Sequence, residues 1–240
     1  MNVALIFAGG AGKRMNTKEL PKQFLTLHGK PIIIYTLELF EEHPEVDGIV
    51  VVCLAGWIEY LQSQINKYRI TKVKSIVSGG STGQESICKG IVAINELYSG
   101  DDTVLVHDGV RPLISKELIS ENIRSVREYG NAISSAEVAE TIMLNSDEHG
   151  CVESIADRDT CRFAKAPQSF RVEDLLNAHM RAVKEGKTDF TDSACLMQYY
   201  GATLHLVKSN ANNIKITTPT DYYLFRAIIE SEENKQFGGY

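Results

Sequence analysis

No stretch of this chain approaches the roughly 18 consecutive apolar residues that a membrane-crossing helix needs. The run from Met1 to Phe7 passes straight into glycines instead of extending into the apolar core of a secretion signal. A cytoplasmic protein is the expectation. Cysteine is sparse and scattered: Cys53, Cys88, Cys151, Cys161 and Cys195 form no C-x-x-C pair and have no histidine at zinc spacing, so they read as reduced thiols. Positive charge is also in short supply. The chain has 25 Lys and Arg against 31 Asp and Glu, a formal net charge of −6 over 240 residues. That balance argues against a nucleic-acid surface or an anionic membrane as partner, while leaving room for a local basic pocket. No internal repeat, low-complexity linker, Ser-His-Asp set or Cys-His set is present.

What is present is alternation. Short β-branched runs at Val3 to Phe7, Gly48 to Cys53, Lys74 to Val77 and Thr103 to His107 are separated by amphipathic helical patterns. The helices are predicted at 31–42, 57–68, 82–97 and 116–129. The pattern is that of an α/β fold, a Rossmann-like, mostly parallel sheet with helices on both faces. From Ala136 to Phe170 it changes to two strands around a polar turn, read as an inserted β-hairpin arm at about 137–168 within one domain spanning 1–240. Helices are predicted again at 172–185 and 192–200, then strands at 204–208 and 213–217, and a closing helix at 220–232.

The first strand runs into Ala8-Gly9-Gly10-Ala11-Gly12-Lys13-Arg14-Met15, a glycine turn at the strand end where α/β sheets bind ligands. A dinucleotide fingerprint would need glycine in place of Met15, and a P-loop would need Ser or Thr in place of Arg14. What remains is G-x-G-x-R, which fits a phosphate cradle or simply a tight turn. Charge tilts the choice. Residues 1–30 hold five cations (Lys13, Arg14, Lys18, Lys22 and Lys30) against Glu19 alone, a balance of +4, so the other 210 residues carry −10. A cationic loop in an acidic chain suits a triphosphate. Asp108, at the end of the fourth strand, is placed either to hold Mg²⁺ against phosphates or to cap a turn that Arg111 locks. Lys215, inside an otherwise apolar segment, needs an anion, whether a phosphate or a salt-bridge partner.

Taken in order, G-x-G-x-R-M, L-P-K-Q-F-L-x-L-x-G-K-P-I, G-G followed by E-S, H-D-x-V-R-P, A-P-Q-S-F, T-D-S-A and N-I-K-I-T-T-P cover nearly the whole chain. The sequence resembles the cytidylyltransferases of polyol phosphates. That resemblance implies transfer of CMP from CTP to a polyol phosphate, with Mg²⁺ as cofactor. Ala8, Gly9, Gly10, Ala11, Gly12, Gly80, Ser81, Ser86 and Gly109 would bind the nucleotide. Arg14, Lys22 and Lys215 would be the catalytic cations, and Asp108 the metal carboxylate. Arg111, Thr141, Arg158, Thr191 and Asp192 would meet the acceptor, Thr141 and Arg158 by reaching from the arm into a neighbouring subunit, so that the protein is a homodimer. Two departures, Gly83 where an arginine is usual and Ala166 where a threonine is frequent, bear on the acceptor contacts more than on CTP.

The chemistry asks for charge and not for a general base. A phosphate monoester, with a second pKa near 6, is already an anionic nucleophile at neutral pH. The protein has to bring two polyanions together and stabilise the charge that develops as pyrophosphate leaves. His107 reads as a brace for the Asp108 turn. The segment from Ala55 to Tyr68, together with Gln84-Glu85-Ser86, looks closer to family members acting on D-ribitol 5-phosphate. 2-C-methyl-D-erythritol 4-phosphate is the alternative acceptor, and a catalytically silent nucleotide-binding homologue is the alternative of a different class.

Overall fold

A computed structural model of the chain describes residues 1–10, 20–145 and 150–234. Its centre is a seven-stranded sheet in the order β11-β7-β10-β6-β1-β4-β5. These are β1 (Asn2–Ala8), β4 (Gly48–Cys53), β5 (Val73–Ser78), β6 (Thr103–Asp108), β7 (Asn131–Glu137), β10 (Arg162–Arg171) and β11 (Leu206–Lys208). β2 (Thr26–Leu27) and β3 (Lys30–Pro31) form a small hairpin, and β8 (Met143–Asn145) and β9 (Val152–Ile155) form another. In the large sheet only β10 runs antiparallel to its neighbours, so the mostly parallel expectation holds.

Side chains alternate across the strands and fill both faces. Ala4, Ile6, Ile49 and Val51 pack with α1 (Ile32–Glu41), α2 (Ile58–Lys67) and α4 (Lys116–Tyr129). Val3, Leu5, Val50 and Val52 pack with α3 (Gly83–Leu97), α5 (Val172–Lys184) and α6 (Ser193–Tyr199). A third, smaller core joins Leu27, Val110 and Ile216 to Phe225 of α7 (Pro219–Asn234). The chain passes from β1 to β4 and β5 on one side, then returns to β6 on the other. The crevice at the carboxyl ends of β1 and β6 is therefore the switch point at which open α/β sheets bind ligands.

Two expectations need correction, and two strands went unpredicted. The strand expected at 213–217 is an extended strap outside the sheet, because Asp221 Oδ2 accepts the Thr217 and Thr218 N–H groups that a ladder would use. The arm is narrower than 137–168: β7 and β10 pair with each other in the main sheet, from Phe170 opposite Asn131 to Arg162 opposite Glu137. Only β8 and β9 project as a separate hairpin. β7 and β10 escape a reading by hydrophobicity because β7 turns Ser134 and Ser135 inward, where both are hydrogen-bonded, and β10 contains Pro167.

Candidate active site

The site begins where β1 stops. Gln23 is buried, and its Nε2 donates to the Ala8 carbonyl at 2.8 Å, fixing the strand end from which the glycine turn departs. Gln23 belongs to the 3₁₀ turn Lys22–Phe24. That turn is anchored by Phe24, fully buried, with its ring stacked on Trp57 at 5.1 Å and edge-on to Tyr60 at 5.2 Å. Burying such a ring is worth about 2–3 kcal/mol and anchors the turn that carries the half-buried Lys22. Gln23 was missed in the sequence reading, although its position beside a proline-restrained lysine was a usable signal.

Across β4 lies the second glycine block. A Cβ on Gly9 would approach Ser86 Oγ to 3.1 Å and Gly79 Cα to 3.7 Å, so the two turns run against each other with no room for side chains. Ser86 Oγ accepts from the Gly80 amide at 3.0 Å and donates to the Thr82 carbonyl at 2.8 Å. The Ser81 amide and hydroxyl both donate to Glu85 at 2.7 Å, bringing that exposed carboxylate down to about 2. Gly9, Gly80, Ser81 and Ser86 thus converge. Gly10 is exposed beside them, while Ala11, Gly12 and Arg14 lie outside the described residues. Gly109 contributes space and not a donor: its N–H already donates to Phe7 O at 3.0 Å, and a Cβ there would meet Ala8 Cβ at 3.1 Å. Gly83 opens α3, and a Cβ there would meet only Phe7 at 3.6 Å, so packing does not demand glycine.

Asp108 ends β6 beside Phe7 of β1. Lys215 Nζ reaches Asp108 Oδ1 at 2.6 Å, and Arg111 Nε reaches Oδ2 at 2.8 Å. Burial alone would raise this carboxyl, but the charges of Lys215 and then Arg111 outweigh it and hold it at about 2. His107 Nε2 lies 3.1 Å from the Arg111 carbonyl and braces the same turn. Burial pushes that imidazole down to about 4, so it stays neutral near pH 7. The Lys215 strap is pinned by the Ile216 N–H on Val110 O at 2.9 Å and by Asp221 at its far end.

A cavity of about 180 Å³ opens between these groups and the β10–α6 wall, and it collects Asp108, Arg111, Lys215, Thr191 and Asp192. Asp192 Oδ1 caps α6 through the Cys195 N–H at 2.9 Å, and its Oδ2 accepts from Gln168 Nε2 at 2.9 Å. Thr141 and Arg158 are not part of this cavity. Both are exposed on the arm, where Arg158 Nη1 donates to Ala139 O at 3.3 Å and lines a separate hollow with Glu137 and Arg162.

With this arrangement established, comparison with known proteins is informative. The family model for IspD, 2-C-methyl-D-erythritol 4-phosphate cytidylyltransferase, matches residues 2–231. The chain belongs to this cytidylyltransferase family. Within reach of the family, a ribitol-5-phosphate cytidylyltransferase from Vibrio parahaemolyticus is 49% identical over 239 residues, covering all of both chains. A 2-C-methyl-D-erythritol 4-phosphate cytidylyltransferase from Clostridium acetobutylicum is 35% identical, covering 96% of this chain and 98% of its own. Among solved structures, 4-diphosphocytidyl-2C-methyl-D-erythritol synthase from Anaerococcus prevotii superimposes with a TM-score of 0.82 at 25% identity, covering 95% of this chain and 96% of that one. The family match thus runs through the arm as well as the sheet.

Proposed function

We propose that this protein transfers CMP from CTP to D-ribitol 5-phosphate, releasing pyrophosphate and forming CDP-ribitol. The observation that carries the chemistry is the ion triad of Lys215, Asp108 and Arg111 at the switch point, next to the convergent glycine turns. Such a site offers positive charge without a nucleophile or a general base, which suits joining two phosphates whose attacking oxygen is already anionic. The choice of acceptor is supported by the 49% identity to a ribitol-5-phosphate enzyme against 35% to a methylerythritol-phosphate enzyme. Methylerythritol 4-phosphate is the second reading, favoured by the family model.

In this reading the nucleotide lies over Ala8 to Gly12, Gly80, Ser81 and Ser86, with Arg14 and Lys22 on its phosphates. Lys215 leaves Asp108 for the charge that builds on the α-phosphate and the departing pyrophosphate. The groups present fit Mg²⁺ as a shared ligand. Asp108 is ionised at any working pH, and among the described residues no cluster of three His, Cys, Asp or Glu could hold a metal unaided. A cation would therefore be held jointly by Asp108 and phosphate oxygens. When bound, it would supply charge neutralisation on the triphosphate.

Arg111, Thr191 and Asp192 face the acceptor. The arm supports a homodimer in which Thr141 and Arg158 complete the site of a second copy, since Met143, Val152, Ile155 and Phe163 expose apolar surface around them. Among the described residues no helix is long and apolar enough to cross a membrane, in keeping with a cytoplasmic enzyme. The deciding experiment is pyrophosphate release from CTP, UTP, ATP and GTP with ribitol 5-phosphate or methylerythritol 4-phosphate. Turnover confined to CTP and ribitol 5-phosphate is expected. Turnover with methylerythritol 4-phosphate alone supports the second reading, and no release with any pair means a binding homologue instead.

A further inference from the structure

The cavity beside Asp108 holds two groups that this mechanism leaves unused. Lys165 Nζ donates to the Asn213 carbonyl at 2.9 Å, and Arg111 Nη1 donates to the same oxygen at 3.0 Å. Two cationic nitrogens bound to one oxygen lie within about 6 Å of each other, with only a neutral carbonyl between them. The platform is rigid. Asn213 is fully buried, and its Nδ2 donates to Ala166 O at 2.6 Å and to Ser209 Oγ at 2.9 Å. Lys165 is half-buried, and its partners among the described residues are carbonyl oxygens, of Asn213 and, at 3.5 Å, of Ala211. Burial, and after it the charge of Arg111, pushes this ammonium below its usual range. The second group is Ser193, 3% exposed, whose buried hydroxyl has no hydrogen-bond partner although it forms part of the cavity wall. An unpaired buried hydroxyl costs the fold stability unless something takes it up.

We propose that Lys165 and Ser193 form the acceptor subsite, with Lys165 and Arg111 clamping the phosphate monoester dianion and Ser193 taking a hydroxyl of the polyol. The assignment rests on the transfer reaction proposed above. Two cations within about 6 Å of each other suit a dianion whose oxygens can face both at once. The fold separates this clamp from the nucleotide. Lys165 sits on β10, which borders β6 on the side opposite β1, so that the glycine turns and Lys165 flank Asp108 from different sides. A phosphate in the clamp and a triphosphate on the glycine turns then meet over Asp108.

Both ligands are phosphates, so the test separates them. Lys165→Met, Lys165→Arg and Ser193→Ala are assayed by pyrophosphate release with CTP and D-ribitol 5-phosphate varied independently. For Lys165→Met the acceptor KM is expected to rise about tenfold or more while the CTP KM stays within about twofold, with Lys165→Arg restoring most of the loss. Ser193→Ala is expected to raise the acceptor KM about threefold to fivefold with Tm equal to wild type or above it, since it deletes an unpaired buried group. An unchanged acceptor KM in Lys165→Met, or a rise in the CTP KM instead, overturns the subsite. If the wild-type protein releases no pyrophosphate with any acceptor, the functional reading fails separately. Calorimetric titration with inorganic phosphate then decides: binding about tenfold weaker in Lys165→Met supports the clamp, and equal binding overturns it.

Discussion

Lys215 Nζ and Asp108 Oδ1 are 2.6 Å apart although 107 positions separate them in the chain, and the second oxygen of the same carboxylate is taken by Arg111. Asp108→Asn keeps the shape and removes the charge, leaving two cations facing each other. The expected cost is about 2–3 kcal/mol, below the usual range for a broken buried pair because the Lys215 side chain is 38% exposed. Turnover should fall about a hundredfold or more. Urea unfolding and pyrophosphate release measure the two effects, and a variant with near-wild-type turnover would remove Asp108 from the mechanism.

Lys22→Ala should separate chemistry from folding. The turn that carries Lys22 is anchored by the buried Phe24 ring and by Gln23, so circular dichroism and Tm are expected to stay near wild type. Turnover should drop by about two orders of magnitude, the scale of losing one preorganised charge. Near-normal activity in the folded variant contradicts the role.

Chelation tests the shared metal. With excess EDTA the release of pyrophosphate should stop and should return on adding Mg²⁺, if Asp108 shares a cation with the phosphates as proposed. Turnover that persists in chelator argues that Lys215, Arg111 and Lys22 neutralise the triphosphate unaided.

Acid stability should follow two buried histidines. His107 and His179 are held near pKa 4 by burial, and neither ring nitrogen of His179 has a partner. Below about pH 6.5 the unfolded chain binds protons that the folded chain refuses, so stability falls as pH drops from 6.5 toward 4. The loss is up to about 3 kcal/mol for each group. Asp108 works in a lower window, its contribution lost only as pH falls below the ordinary aspartate range toward 2. His179→Leu should flatten the urea midpoint between pH 6.5 and 4 without lowering it at pH 7. An unchanged slope means that another group controls acid unfolding.

Gln23→Leu should loosen the end of β1. The substitution leaves the Ala8 carbonyl buried without its 2.8 Å partner, at a cost of about 1–3 kcal/mol. The KM for CTP is expected to rise several-fold, while the KM for the acceptor stays near wild type. An unchanged CTP KM would show that the glycine turn is fixed from elsewhere.

The formal charge of −6 hides a basic first 30 residues, and hydropathy along the chain was enough to recover β1, β4, β5, β6 and the helices that cover them. β1, β4 and β6 are legible because a strand buried on both faces must be apolar throughout, β5 at the sheet edge shows itself only as a short β-branched run, and a helix over a sheet must repeat its apolar face. The ordered motifs likewise marked Asp108, Lys215 and the glycine turns. Sequence pattern did not reveal β10 as the antiparallel strand, the strap that replaces a strand at 213–217, or the arm's true width. Those depend on backbone groups finding partners far along the chain, as when Asp221 takes the amides of Thr217 and Thr218.

Local sequence by itself determined which residues could bear charge. Only the tertiary structure decided which charges meet. Lys215 neutralises Asp108, while Lys165 and Arg111 share one carbonyl of Asn213, because β6, β10 and the strap converge on one cavity. Asp108 and Arg111 are close in sequence, but nothing in the spacing of 165 and 215 from that turn implies the convergence. It follows from the sheet order, which burial of apolar strands imposes on the whole chain at once.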